Sequence, residues 1–317
     1  MPLPFIPRGV IPACLMAFDS EFRIDEPWYR KHLRDLAAVD GLSAITVNGH
    51  AAEVHALDLD EQRRVLAISV NEIGAKLPLI NGVYADSSFH AQAIARMAEQ
   101  EGASALLIFP PATLGMGGHL RPEMLFRHFE LIAEATTLPL IFFQYPHNSP
   151  LHTPFDTMLE LFERVPQIVA IKDWCHDGYE HERNIRTLRA LSRPVKVLTT
   201  HSAWLMSSLV MGCDGLLSGA GSVVAALQVE LFRAIEAGDL PRAQAVNDKL
   251  YPIQQAFYRA PFGDMHNRMK EANVLLGRLP RAVVRPPLMK ISDAEIHGLR
   301  TALVAGGLLA KQGASHG

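Results

Sequence analysis

Lys172 is the residue with the most chemistry in it. It closes the apolar run Gln167-Ile168-Val169-Ala170-Ile171. A lysine at the inward-facing end of a buried strand is desolvated, which disfavours the ammonium form, lowers the pKa and leaves a free amine able to attack a ketone. The iminium formed is an electron sink for making or breaking a bond at the adjacent carbon. The plain alternative is a lysine whose head snorkels to solvent. Tyr145 comes second, near the end of Leu138-Pro139-Leu140-Ile141-Phe142-Phe143-Gln144-Tyr145-Pro146. Period-two alternation puts Phe143 and Tyr145 on one face. A phenol there would relay protons to a carbinolamine and to a leaving alkoxide, or else pack as rim aromatic.

Among 14 histidines, His50, His147 and His201 fall at expected strand ends, so a metal site has to be weighed. The first strand reads Val10-Ile11-Pro12-Ala13 and lacks the HxH of metal-dependent barrel hydrolases. Each histidine is therefore read as a polar rim residue, with His50 ranked first as substrate-facing. The catalytic expectation is no metal and no organic cofactor.

These side chains need elements to hold them. Strand-type apolar runs recur at Val10–Leu15, Ala44–Val47, Leu77–Ile80, Ala105–Phe109, Leu138–Phe143, Ile168–Ile171, Val195–Leu198 and Gly215–Leu217. Segments of helical spacing lie between them: Trp28–Ala38, Glu61–Ile73, Phe89–Glu101, Pro122–Ala135, Pro154–Val165, Glu182–Leu191 and Ala203–Met211. Strand-helix alternation implies a parallel sheet covered by helices, and eight such units imply a closed (β/α)8 TIM barrel. The doubly wound open sheet is the competitor, but neither GxGxxG after the first strand nor GxxxxGK[ST] is present. A barrel over 1–237 is followed by a C-terminal helical extension, 238–317, with helices over Leu240–Phe257, Met265–Leu276 and Asp293–Val304, the last capped by Ser292. The extension reads as an appendage at a subunit interface, and the final AKQGASHG is expected to fray.

The bulk properties leave small-molecule chemistry or protein contacts as the function classes. With 317 residues, 49% hydrophobic and 20% charged, the chain can bury a large core. A net charge of −3 gives no basic field for nucleic acid or an anionic membrane. Cys14, Cys175 and Cys213 are widely spaced, without a CxxC pair, and fit a reducing cytoplasm. No stretch is apolar enough for a membrane span, and the proline-broken start does not read as a leader, so a soluble, unprocessed protein is expected.

The succession Asn48-Gly49-His50-Ala51-Ala52-Glu53, Phe143-Gln144-Tyr145-Pro146, Val169-Ala170-Ile171-Lys172-Asp173 and Gly212-Cys213-Asp214-Gly215-Leu216-Leu217-Ser218 resembles the dihydrodipicolinate synthase / N-acetylneuraminate lyase family. The resemblance runs from about Gly9 to Tyr251, with Val284-Arg285-Pro286-Pro287-Leu288 similar to family endings. It implies that Lys172 is the Schiff-base nucleophile and that Gly49, His50 and Ala51 hold the keto-acid carboxylate. Both hydroxyl residues of the family's GTTGE-type loop are replaced, leaving the His50 and Ala51 amides and the His50 imidazole as donors. The family tyrosine of strand five is Phe143, so Tyr145 is the proposed substitute. The TPYY element is Phe109-Pro110-Pro111-Ala112, and the arginine that binds the aldehyde's carboxylate is Asn148. True dihydrodipicolinate synthesis is therefore not expected. Ser218, Gly219 and Ala220, with Gly221, are expected to shape the pocket beside the lysine. Asp173, where the family has glutamate, is expected to tune Lys172 or to cap the loop.

The resulting expectation is a lyase, either aldolase or hydratase-aldolase, acting on a 2-keto acid such as pyruvate, with an aldehyde as second partner. The resemblance implies a homotetramer. A catalytically silent keto-acid binder is the alternative, followed by a metal-dependent barrel hydrolase. Reaction with keto acids separates the first two, and chelator sensitivity tests the third.

Overall fold

The computed structural model describes residues 5–310; the end expected to fray, AKQGASHG, lies outside the described residues except for Ala310. Eight strands form one all-parallel sheet: β1 Gly9–Pro12, β2 Ile45–Val47, β3 Leu79–Val83, β4 Ala105–Ile108, β5 Leu140–Gln144, β6 Ile168–Asp173, β7 Lys196–Thr199 and β8 Gly215–Ser218. Each pairs with its sequence neighbour from β2 to β8, and β1 pairs with β8. Parallel bridges Val10–Leu42 and Ala13–Thr46, with Cys14 N donating to Thr46 O at 2.8 Å, close the ring between β1 and β2. The strands are short and buried on both faces, as a barrel wrapped in helices requires.

The wrapping helices are α1 Glu26–Ala37, α2 Leu59–Ile73, α3 Ser88–Gln100, α4 Pro122–Ala133, α5 Phe155–Arg164, α6 Gly178–Ala190, α7 Leu205–Val210 and α8 Gly221–Glu236. Their starts follow local chemistry. Asp58 and Glu61 form a reciprocal capping box on α2. Asp177 accepts from Glu180 N and starts α6 four residues earlier than the apolar periodicity indicates, because the cap, not the apolar face, sets the first turn.

Three further helices follow: α9 Leu240–Tyr258, α10 Met265–Leu275 and α11 Asp293–Ala305, the last capped by Ser292 as expected. Helix α9 packs along α8 and α11, and one hydrophobic cluster runs from Val10 through the barrel to Leu303. Buried Lys270 of α10 pairs with buried Glu53 and donates to Val283 O at 2.7 Å. Arg285 forks onto Glu61 at 2.6 and 2.7 Å, and its N–H donates to Glu53 Oε2 at 2.9 Å. The tail is thus tied to the loop after β2. No helix among the described residues is long and apolar enough to cross a membrane.

Candidate active site

Strand alternation aims Lys172. Its neighbour Asp173 turns outward to α6, accepting from His181 Nδ1 at 2.9 Å and Asn184 Nδ2 at 3.1 Å, so Lys172 points into the barrel. It is 7% exposed and pairs in register with Phe143 on β5 and Leu198 on β7. Its Nζ sits 4.1 Å from the centre of the Phe143 ring. Among the described residues no carboxylate forms an ion pair with it, and burial pushes its pKa down to about 7. The amine is therefore available in its nucleophilic form near neutrality.

Tyr145 follows β5 directly, and its hydroxyl meets His50 Nε2 at 3.2 Å. The two rings belong to an aromatic cluster with Tyr84, Phe109, Phe143 and Trp174. Burial, helped by the charge of Lys172, holds the His50 pKa well below its ordinary value, so the imidazole is neutral and able to accept a proton. Burial raises the Tyr145 phenol, which keeps it protonated as a donor. The loop Gly49-His50-Ala51-Ala52 is a single 3-10 turn after β2. Its leading amides, His50 N and Ala51 N, have no hydrogen-bond acceptor among the described residues, the usual state of a helix start and a ready anion cradle. Glu53 leaves that turn at φ 54°, held there by Lys270 and the Arg285 amide.

A narrow cleft opens onto Lys172 and His50, with Phe143, Trp174, Thr200 and Gly219 on its walls. Gly219 lines it as expected. Ser218 does not, because its hydroxyl is engaged by Ser202 Oγ at 2.8 Å and Gln228 Nε2 at 3.2 Å. Ala220 donates its amide to the Tyr258 hydroxyl at 3.1 Å. The space beside Gly219 is taken by His266, and Gly221 is close-packed on Pro12 rather than leaving room, since a Cβ there would stand 2.7 Å from Pro12 Cβ.

Sequence reasoning missed the remaining wall, formed by Tyr258, Met265 and His266. They come from the end of α9 and the start of α10, in a tail read only as an appendage. No local periodicity reports that a distant helix end folds over the barrel mouth. Burial and the Lys172 charge push the His266 pKa down to about 3, so the amine faces two neutral imidazoles, His50 and His266.

The three strand-end histidines do not converge. His50 is in the cleft. His201 lies behind β6 and β7, with Nδ1 3.1 Å from Thr199 Oγ1. His147 faces Glu180 Oε2 at 3.5 Å, beside His152. The chain Asp173, His181, Ser208 has the connectivity of a hydrolytic triad at 2.9 and 2.8 Å, but all three side chains are sealed from solvent and none lines the cleft.

Fold and site together define a (β/α)8 barrel that presents a desolvated lysine amine at the C-terminal mouth of its strands. Residues 6–305 match the model of the dihydrodipicolinate synthetase family, and the chain belongs to that family. It is 30% identical to the 4-hydroxy-tetrahydrodipicolinate synthase of Methanopyrus kandleri, over 96% of this chain and 98% of that one. It is 26% identical, over 96% and 98%, to YagE of Escherichia coli K12, a provisionally assigned 2-dehydro-3-deoxy-D-gluconate aldolase. The fold superposes with a TM-score of 0.87 on the structure of YagE in complex with pyruvate, at 22% identity over 95% of this chain and 99% of that one. It superposes with a TM-score of 0.86 on a monomeric dihydrodipicolinate synthase variant, at 23% identity over 96% and 98%.

Proposed function

We propose that the protein is a lyase, an aldolase or hydratase-aldolase, that forms a Schiff base between Lys172 and pyruvate or a pyruvate-derived 2-keto acid. The observation that carries this reading is the buried, unpaired amine with a pKa near 7 at the end of β6. The neutral Nζ adds to the keto carbon, and the carbinolamine loses water to give an iminium. Cleavage of the bond between the third and fourth carbons then leaves an enamine and releases an aldehyde, and the reverse order runs the condensation. Protons must reach the carbinolamine oxygen and leave the 4-hydroxyl, and the Tyr145–His50 couple is the group we assign to both transfers. The free amides of His50 and Ala51 receive the keto-acid carboxylate. Gly49 shapes that turn, and Gly219 lines the cleft with Tyr258, Met265 and His266 of the tail. No metal or organic cofactor is needed, because the iminium is the electron sink.

The second substrate differs from the aldehyde used in dihydrodipicolinate synthesis. Asn148 offers no guanidinium fork for a second carboxylate, and Phe109 and Phe143 offer no phenol. We assign the protein to the cytoplasm, where its three free cysteines stay reduced, and to a homo-oligomer, a tetramer in this family. The test is turnover. A panel of 4-hydroxy-2-keto acids and 2-keto-3-deoxy sugar acids is offered, and pyruvate release is followed with lactate dehydrogenase. Release from one member, abolished in Lys172→Ala, supports the reading; Schiff-base formation without release from any member points to the silent binder.

A further inference from the structure

Behind the catalytic strand, four donors of different chemistry converge. Asp173 ends β6, Cys175 follows it, His181 sits in the first turns of α6 and His201 follows β7. All four are buried. One donor atom of each lies within 4.8 Å of all the others. Cys175 Sγ and His201 Nε2 stand 3.6 Å apart, and His181 Nδ1 and Asp173 Oδ2 stand 2.9 Å apart. Donor pairs around a tetrahedral zinc are separated by about 3.3–3.6 Å, so shifts below an ångström would bring the set to that geometry.

We propose that these four residues form a closed, structural zinc site that ties the ends of β6 and β7 to α6. It is separate from the reaction proposed for Lys172 and does not depend on it. The ligand set, one thiolate, two imidazoles and a carboxylate, suits zinc. The outer shell is already built. His201 Nδ1 meets Thr199 Oγ1 at 3.1 Å, and His181 Nε2 meets Ser208 Oγ at 2.8 Å, so each imidazole is oriented by a hydroxyl through its non-ligating nitrogen. The other Asp173 oxygen accepts from Cys175 N at 3.0 Å, which fixes the carboxylate plane.

The protons balance simply. His201 Nε2 accepts from His176 N at 3.0 Å, so it already offers a lone pair, and the exposed His176 segment gives way to the ion. The His181 proton moves from Nδ1 to Nε2, facing Ser208. Cys175 loses its thiol proton, and one proton is released per zinc. The buried cluster then holds Zn2+, a thiolate and a carboxylate with no net charge, in place of the lone Asp173 carboxylate.

The full-length protein, expressed with zinc in the medium, would be assayed for metal by mass spectrometry, then stripped with chelator and titrated with Co2+. The proposal expects one zinc per chain, a higher melting temperature with zinc, and a tetrahedral cobalt spectrum with a sulfur-to-cobalt charge-transfer band. Cys175→Ser abolishes that band and His201→Gln lowers the stoichiometry. His152→Ala, in the sulfur-free cluster His147, His152 and Glu180, leaves both unchanged. If Cys175→Ser does not fold, the band in the unaltered protein decides. Cobalt binding without that band, or zinc well below one per chain after supplementation, overturns the proposal.

Discussion

At neutral pH Lys172 stands between two protonation states, because it is buried and, among the described residues, no carboxylate forms an ion pair with it. The groups facing it, His50 and His266, are neutral, so the lysine alone titrates there. Iminium formation with pyruvate should rise roughly tenfold per pH unit below pH 7 and level off above it, as measured by borohydride trapping rate. Stability carries the same signature. Between about pH 7 and 10.5 the unfolded chain holds a proton on this lysine that the folded chain lacks, so stability due to this group rises with pH through that window. Lys172→Met should therefore be the more stable protein near pH 7, by roughly 2–4 kcal/mol, with the difference shrinking toward pH 10.5. Urea denaturation at several pH values measures it, and a pH-independent gap would contradict it. Tyr145→Phe should lower kcat roughly 10²–10³-fold with little change in KM for the keto acid, since it removes the proposed proton carrier and not a proposed carboxylate ligand. A kcat within threefold of the unaltered enzyme would remove Tyr145 from the mechanism.

The elements decide whether those residues meet. The turn after β2 is held from outside by Lys270 and Arg285, both from the tail. Lys270→Met strands a buried carboxylate at Glu53 and should cost about 3–5 kcal/mol, whereas the double variant with Glu53→Gln should cost clearly less. Chemical denaturation checks both, and equal losses would mean that the pair is not coupled. The KM for the keto acid should rise in Lys270→Met, because the amides of His50 and Ala51 depend on that turn. The eight strands and the order of their helices were legible in the sequence, since each strand is a buried apolar run and each helix has its own periodicity. Lys172, Gly49, His50 and Gly219 were legible as strand-end residues at the barrel mouth. Tyr258, Met265 and His266 were not, because their position depends on how α9 and α10 fold back, a tertiary fact that no local pattern encodes. The orientation of Ser218 was hidden for a similar reason: its partners, Ser202 and Gln228, are brought to it only by the closed fold.

At the scale of the molecule, barrel and tail share one hydrophobic cluster, with buried Arg268 donating to the carbonyls of Arg259 and Pro261 where α9 passes into α10. Unfolding should thus be a single cooperative transition in calorimetry, and a separate early transition for the tail would contradict it. This integration shapes the cleft, because Tyr258, Met265 and His266 come from the tail while Lys172, the proposed nucleophile, belongs to the barrel. In the proposed reaction the assembled molecule directs one amine, that of Lys172, at a 2-keto acid. Its most direct test is incubation with pyruvate, reduction with borohydride and location of the adduct by peptide mass spectrometry. One pyruvate-derived adduct per chain is expected on Lys172, absent from Lys172→Ala; folded protein that acquires no adduct from pyruvate or any larger 2-keto acid, or acquires it on another lysine, would overturn the Schiff-base assignment.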